Sequence, residues 1–222
     1  MRRFWMIVTG LVVGAPFLTG AADTPKSDAP KTEEGFVTIF DGKTFNGWKS
    51  STDNPETFKI EDGAFVTHGK TAHLFYVGDE KPFKDFELKV DVMTRARANG
   101  GVYFHTKYQE KGFPRAGFEC QVNETHSDPK KTGSLYNIKN VMDVSPVKDD
   151  EWWEYDITVK GKTATLKVNG KVTVEWTQPE NARKKLSEGT FALQAHDPGS
   201  VVYYKNIRVK RLAEAEAPHS GN

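Results

Sequence analysis

The sequence predicts an all-β fold, an antiparallel two-sheet β-sandwich or jelly roll. Three observations carry this. Apolar and polar residues alternate with period two along segment after segment, as in strands buried on one face. Turn dipeptides such as Asp41-Gly42, Asn46-Gly47, Asp62-Gly63 and Asn169-Gly170 punctuate the chain at short intervals. A helical period is almost absent, and no internal repeat suggests a propeller or solenoid.

In chain order, residues 1–22 read as a secretory signal peptide. Met1-Arg2-Arg3 is a basic start, residues 4–18 are mostly apolar, and Thr19-Gly20-Ala21-Ala22 offers small residues for cleavage. The apolar run is too short and too interrupted, by Gly10, Gly14 and Pro16, to span a membrane. A secreted or periplasmic location is therefore expected, with no lipid anchor because no Cys follows the cleavage region. Residues 23–35 are rich in Lys, Pro, Asp, Glu and Thr and read as a disordered linker.

The domain is expected over residues 36–212. Its first strand is Phe36 to Phe40, after which Phe45 and Trp48 are expected to plug one end of the core. Strands are then expected around 58–60, 64–66, 74–77 and 86–93. Later ones follow at 153–159, 164–168, 171–175, 191–195 and 201–209, making about a dozen in all. A helical turn is expected over 179–186, and residues 213–222 form a polar tail. A domain of this size buries roughly 70% of its unfolded surface. Cys120 is the single cysteine of the 222 residues, so the core rather than an internal disulfide must hold the fold. With 31 Lys and Arg against 30 Asp and Glu the net charge is +1, which offers nothing to nucleic acid or an anionic membrane.

Two strands stand out. In the first, Val102, Phe104 and Thr106 share one face and Tyr103 and His105 the other. In the second, Phe118, Cys120 and Val122 point inward while Glu119, Gln121 and Asn123 point out. A face of Tyr, His, Glu, Gln and Asn can donate, accept and titrate, which an ordinary solvated Lys/Thr/Ser face does not. The plain alternative is a polar outer face with no role. Cys120 is then an inert buried thiol.

Several of these segments, taken together, resemble the 3-keto-disaccharide hydrolase family. They are the run from Phe40 to Trp48, Gly100-Gly101-Val102-Tyr103-Phe104-His105, the strand from Phe118 to Asn123, and Thr132-Gly133-Ser134-Leu135-Tyr136. Ala192-Leu193-Gln194-Ala195-His196 and Lys205-Asn206-Ile207-Arg208-Val209 complete the set, so the resemblance covers Phe36 to Leu212. It implies a concanavalin A-like lectin/glucanase sandwich, a sugar site on a concave sheet face, and export by bacteria. The implied activity is cleavage of glycosides oxidised to a ketone at C3, by elimination of the aglycone and hydration of the glycal. Many members carry Arg where His105 stands here, so that residue's role does not transfer.

A retaining glycosidase needs two carboxyl groups ~5–5.5 Å apart, yet the polar strand offers Glu119 with two amides. A C3 ketone relaxes that demand, because it acidifies the proton on C2. One base, one partner for the enolate oxygen and one acid then suffice. Glu119, His105 and His196 are the expected catalytic residues. Tyr103, Gln121, Asn123, Tyr136 and Gln194 are the expected sugar contacts, the two tyrosines as stacking platforms. His196 precedes the turn Asp197-Pro198-Gly199 and is placed at the rim, whereas His126 and Asp128 are expected in a solvated loop. His105, Glu119 and His196 would also make an N/O set for a divalent cation, with no fixed-spacing motif behind it. The rival function is a lectin-like carbohydrate-binding module without turnover, and a weaker one is an interaction domain in a surface assembly.

Overall fold

The computed structural model describes residues 33–213. The expected signal peptide, residues 23–32 of the linker and residues 214–222 of the tail lie outside the described residues. No helix among the described residues is long and apolar enough to cross a membrane.

Fifteen strands form the fold of the described residues. They are β1 (Val37–Thr38), β2 (Trp48–Ser50), β3 (Phe58–Glu61), β4 (Ala64–Thr67), β5 (Ala72–Tyr76), β6 (Phe86–Thr94), β7 (Gly100–Thr106) and β8 (Phe118–Val122). The chain continues through β9 (Lys130–Leu135), β10 (Lys139–Met142), β11 (Trp153–Lys160), β12 (Thr163–Val168), β13 (Lys171–Thr177), β14 (Thr190–Ala195) and β15 (Val202–Arg211). One sheet runs β13-β12-β11-β6-β15-β4-β3, with β1 beside β15, and the other runs β10-β9-β8-β7-β14-β5-β2. Pairing is antiparallel throughout, as a sandwich built from hairpins and crossovers requires.

The alternation seen in the sequence becomes the core. Phe86, Leu88, Val90 and Val92 of β6 meet Val159, Ile157, Tyr155 and Trp153 of β11 in direct register, and all are buried. From the other sheet Val102, Phe104, Phe118, Cys120, Val122 and Leu193 close the space between the layers. Two tyrosines cross that space. Tyr204 donates to the carbonyl of Gln194 at 3.0 Å and Tyr155 to that of Gln121 at 3.3 Å. One layer thereby fixes two strands of the other. Trp48 is buried and donates to Ile39 O at 2.6 Å, while Phe45 stacks on Phe65 and stays 40% exposed.

Several sequence expectations change. The strand expected from Phe36 to Phe40 shrinks to Val37–Thr38. Residues 179–186 form bends and turns rather than a helical turn, and the one helical turn among the described residues is 3-10, at Pro55–Thr57. β9 and β10 carry too few alternating apolar residues to announce themselves and exist because β8 offers an edge to pair with. The end of the expected linker is also ordered. Glu33 lies 2.9 Å from Lys89 and 3.4 Å from Nε of Arg208, whose side chain is 1% exposed and also meets Glu154 at 2.6 Å. A buried guanidinium demands carboxylates, and composition alone does not show which ones answer.

Glu124, just past β8, is 5% exposed. Its carboxyl meets the hydroxyls of Thr94 at 2.7 Å and Thr132 at 3.0 Å, and Thr94 also lies 2.9 Å from Asp149. Thr94 has one proton for two carboxyl groups, so the chain of oxygens is satisfied when Glu124 keeps its own. Burial, with the Asp149 charge in support, pushes the Glu124 carboxyl up to about 7. The folded state therefore holds a proton that the unfolded chain has lost, and stability falls as pH rises from about 4.5 to about 7. Glu124→Gln is expected to flatten that slope and to recover on the order of 3 kcal/mol at pH 8. Urea unfolding at pH 5 and pH 8 checks this, and an unchanged slope would show that Glu124 is ionised in the fold.

Candidate functional site

The outward face of the seven-stranded sheet is organised in rows, because residues directly opposite in a ladder share a face. His73, Gln194, Gly101 and Gln121 form one row across β5, β14, β7 and β8. Phe75, Ala192, Tyr103 and Glu119 form the next. The Gly100–Gly101 pair serves both sides of the sheet. A Cβ on Gly101 would meet Glu119 Oε1 at 2.8 Å, and one on Gly100 would meet the Tyr204 hydroxyl at 2.6 Å. One glycine gives room to the carboxyl outside and the other to the tyrosine inside.

Glu119 is held by two donors. The Tyr103 hydroxyl donates to Oε2 at 2.8 Å and Gln194 Nε2 to Oε1 at 2.9 Å, with Gln194 also 3.0 Å from the Tyr103 oxygen. Burial pushes the Glu119 carboxyl above the usual carboxylate range, against the pull of those hydrogen bonds and of the His196 and Lys184 charges. Burial and the neighbouring carboxylate drive the Tyr103 phenol far above its ordinary value, so it stays a donor.

Beside this carboxyl lies a cleft of about 420 Å³, whose lining includes Glu119, Gln121, Gln194 and Asn99 with Tyr136, Lys184 and His196. Three amide oxygens of that lining, Asn99 Oδ1, Gln121 Oε1 and Gln194 Oε1, are buried without a hydrogen-bond partner. His196 presents Nδ1 to Asp197 Oδ2 at 3.0 Å. Burial raises the Asp197 carboxyl, but hydrogen bonds from His196, the Ser200 hydroxyl and the Gly199 amide outweigh it and hold it low. Tyr136 lines the cleft with its hydroxyl donated to Asp128 at 2.9 Å and the Lys130 ammonium 4.6 Å above its ring. Asp128 does lie in the loop before β9, partly exposed, and from there it holds the Tyr136 hydroxyl.

Two expected residues are not brought to the cleft. β7 gains one residue against β14, since Thr190 pairs Thr106 while Ala192 pairs Tyr103. The bulge puts His105 at φ +53° and breaks the alternation with Tyr103. His105 packs on Phe86 and Phe104, with Nε2 2.8 Å from Lys84 O and Nδ1 accepting from the Ser187 amide at 3.2 Å. One ring proton satisfies both bonds, and burial holds the ring below its usual pKa. It is a buried residue that ties Lys84 to Ser187 and does not line the cleft. Asn123 is fully buried, donating to the carbonyls of Asp128 and Lys130 at 2.9 and 2.8 Å. It shapes the loop that carries Asp128.

The expected cation set of His105, Glu119 and His196 is thus not assembled. The described residues instead bring ligand atoms of His126, His196 and Asp197 within 4.8 Å of one another. His126 Nδ1 accepts the Asp128 amide at 3.1 Å, which leaves the ring proton on Nε2, facing Asp197 Oδ2 at 3.8 Å. Within the trio one hydrogen bond joins His196 Nδ1 to Asp197 Oδ2, and the two imidazoles meet edge to face at 5.7 Å between centroids.

Lys184, Asn99 and Phe113 were not singled out by sequence. Lys184 sits in a charged run that reads as solvated surface, and Phe113 in a loop without periodicity. Asn99 opens the Asn-Gly-Gly run and was the one with a signal. The loop of residues 107–117 covers the β5 side of the face. Tyr108 lies on Phe75 at 5.4 Å between centroids, and Phe113 on His73 at 5.4 Å and His196 at 5.9 Å. Asp53 anchors it through the Gly112 amide at 2.7 Å. Under that roof, burial lowers His73 to about 4.

Removing the Tyr103 hydroxyl takes away a donor that favours the charged carboxyl. Tyr103→Phe is expected to raise the Glu119 pKa further. Carbon-13 NMR titration of the Glu119 carboxyl measures it, and an unchanged value would mean that this hydrogen bond does not hold the carboxylate.

A family described as the 3-keto-alpha-glucoside-1,2-lyase-like domain matches residues 35–210. A Bacteroides thetaiotaomicron protein named 3-keto-disaccharide hydrolase is 25% identical over 86% of this chain and 83% of its own. Among solved structures, a candidate glycosyl hydrolase of Parabacteroides distasonis superposes with a TM-score of 0.68 at 24% identity, covering 81% of this chain and 95% of that one. The carbohydrate-binding module CBM66 of Bacillus subtilis superposes at 0.54 with 12% identity, over 74% and 96%. These two likenesses show the fold alone, a jelly-roll sandwich of two antiparallel sheets. With its profile matched from the first strand to the last, the chain belongs to the 3-keto-alpha-glucoside-1,2-lyase-like domain family.

Proposed function

We propose that this protein cleaves glycosides bearing a ketone at C3, by elimination across C1 and C2 followed by addition of water. The observation that carries the reading is the set of three unpartnered amide acceptors around one oriented carboxyl. Buried acceptors without donors are costly, and a sugar brings several hydroxyl donors on one rigid ring. The Bacteroides relative's name points to the same substrate class.

Glu119 is the one carboxylate among the residues lining the cleft, so the second carboxyl of a double displacement is missing. Elimination needs only a base. Glu119 takes the C2 proton, and the electron pair of that bond forms the enolate with charge on the C3 oxygen. The Lys184 ammonium, which faces the cleft and feels the Glu119 charge, balances the enolate. The C1–O bond then breaks, and His196, acting as the imidazolium with Nδ1–H held by Asp197, gives its Nε2 proton to the departing oxygen. Water then adds at C1 of the resulting enone, giving its proton to His196, while Glu119 returns the proton it took to C2, which completes net hydrolysis and restores both groups. Gln121, Gln194 and Asn99 receive the sugar hydroxyls, and Tyr136 offers its ring as a wall. A lectin-like module would use the acceptors and rings but has no need of an oriented, titratable carboxyl. The basic and apolar start of the chain fits export, and we place the mature domain outside the cytoplasm on that reading of residues 1–22.

The 3-keto form of a nitrophenyl glucoside is expected to release nitrophenol, while the parent glucoside stays inert. Equal rates on the two would sink the elimination mechanism. Glu119→Gln is expected to lower kcat roughly 10²–10⁴-fold with a far smaller change in sugar affinity. A near-normal kcat would leave His196 as the base.

A further inference from the structure

The mouth of the cleft differs in chemistry from its floor. Phe113 and Pro114 come from the 107–117 loop, which rests on His73 of β5 and on His196 just past β14, and Ile138 follows β9 on the other flank. Since β7 and β8 lie between β14 and β9 in the sheet, these apolar groups stand on opposite sides of the Glu119 floor. Phe113 is 49% exposed and Ile138 37%. Isolated apolar residues on a surface are ordinary. Three bordering a single cleft, above a floor of unpartnered amide acceptors, form a two-part site.

We propose that this mouth is a subsite for an aromatic or similarly flat, apolar aglycone. The inference rests on the sugar reading of the floor. A sugar ring seated on Gln121, Gln194 and Asn99 spends its hydroxyls there. The roof of Phe113 and Tyr108 closes the β5 side, so the C1 substituent leaves past Phe113 on one side and Ile138 on the other. An aryl group in that gap covers apolar surface that water otherwise wets, and its edge or face meets the Phe113 ring. A second sugar in the same gap would face Phe113, Pro114 and Ile138 with hydroxyls, and Asn137 and Lys184 are the polar groups there to receive them.

Leaving-group chemistry would confuse a comparison of rates, so the test is one of affinity. The probes are 3-keto C-glucosides with phenyl, methyl or glucosyl substituents, whose C1–C bond gives no leaving group. Their dissociation constants are measured by calorimetry on the full protein, on Phe113→Ser and on Ile138→Ser. The phenyl compound is expected to bind about tenfold or more tightly than the methyl compound. Each substitution is expected to erase most of that advantage while leaving the methyl compound's affinity unchanged, which also reports an intact fold and floor. Equal affinity for phenyl and methyl, or a glucosyl compound binding as tightly as phenyl, overturns the apolar subsite and leaves the sugar reading standing. A phenyl preference that survives both substitutions places the aglycone elsewhere and overturns it too. If none of the three binds, the sugar reading falls and this inference with it.

Discussion

A carboxyl group kept partly dry on the face of a β-sheet needs space beside it, donors aimed at it and cover above it. Glu119 receives all three, and much of the local structure follows from them. Space comes from Gly101, where any Cβ would collide with the carboxyl. Donors come from Tyr103 and Gln194, one in its own row and one in the adjacent row. Cover comes from the loop that carries Phe113 and Pro114 and from the wall carrying Tyr136. Each element answers the electrostatic penalty of moving a carboxylate away from water. The penalty is not fully cancelled, and the carboxyl remains above its ordinary pKa. A group in that state takes a proton more readily than a free carboxylate.

The inner layer contributes to the same end at a distance. Tyr204 and Tyr155 reach from the opposite sheet to the carbonyls of Gln194 and Gln121. The strands that bear the site are therefore tied from beneath as well as along their edges. Gly100 is the opening through which Tyr204 makes that approach. Two adjacent glycines in one strand would ordinarily weaken it. Here each removes a side chain that would block a named neighbour.

Much of the site was visible in the sequence where period two applied. Tyr103, Glu119, Gln121 and Gln194 fall on the outward face as alternation demands, and His196 reaches the rim beside its turn. His105 failed for a definite reason. A single bulge reverses the parity of everything beyond it, and nothing in Tyr-Phe-His-Thr reports the extra residue. The only trace was in the flanking glycines. A Cβ on Gly117 or Gly189 would strike the backbone around Phe104 to Thr106, closer than real Cβ contacts allow. Asn123 has the right parity, yet its amide is spent on the carbonyls of residues 128 and 130.

The sequence by itself determined the class of fold, because alternation and turn residues are local and each strand states its own buried face. It also determined that one carboxylate, not two, stands on the polar strand, a matter of composition at known parity. Tertiary structure alone decided which groups meet. Lys184 comes from the stretch between β13 and β14, and Phe113 from the loop before β8. Asp197, by contrast, is fixed by its chain neighbours His196, Gly199 and Ser200. Proximity between residues dozens of positions apart depends on strand order and loop path. A pattern of period two carries information about faces, and none about which strand lies beside which.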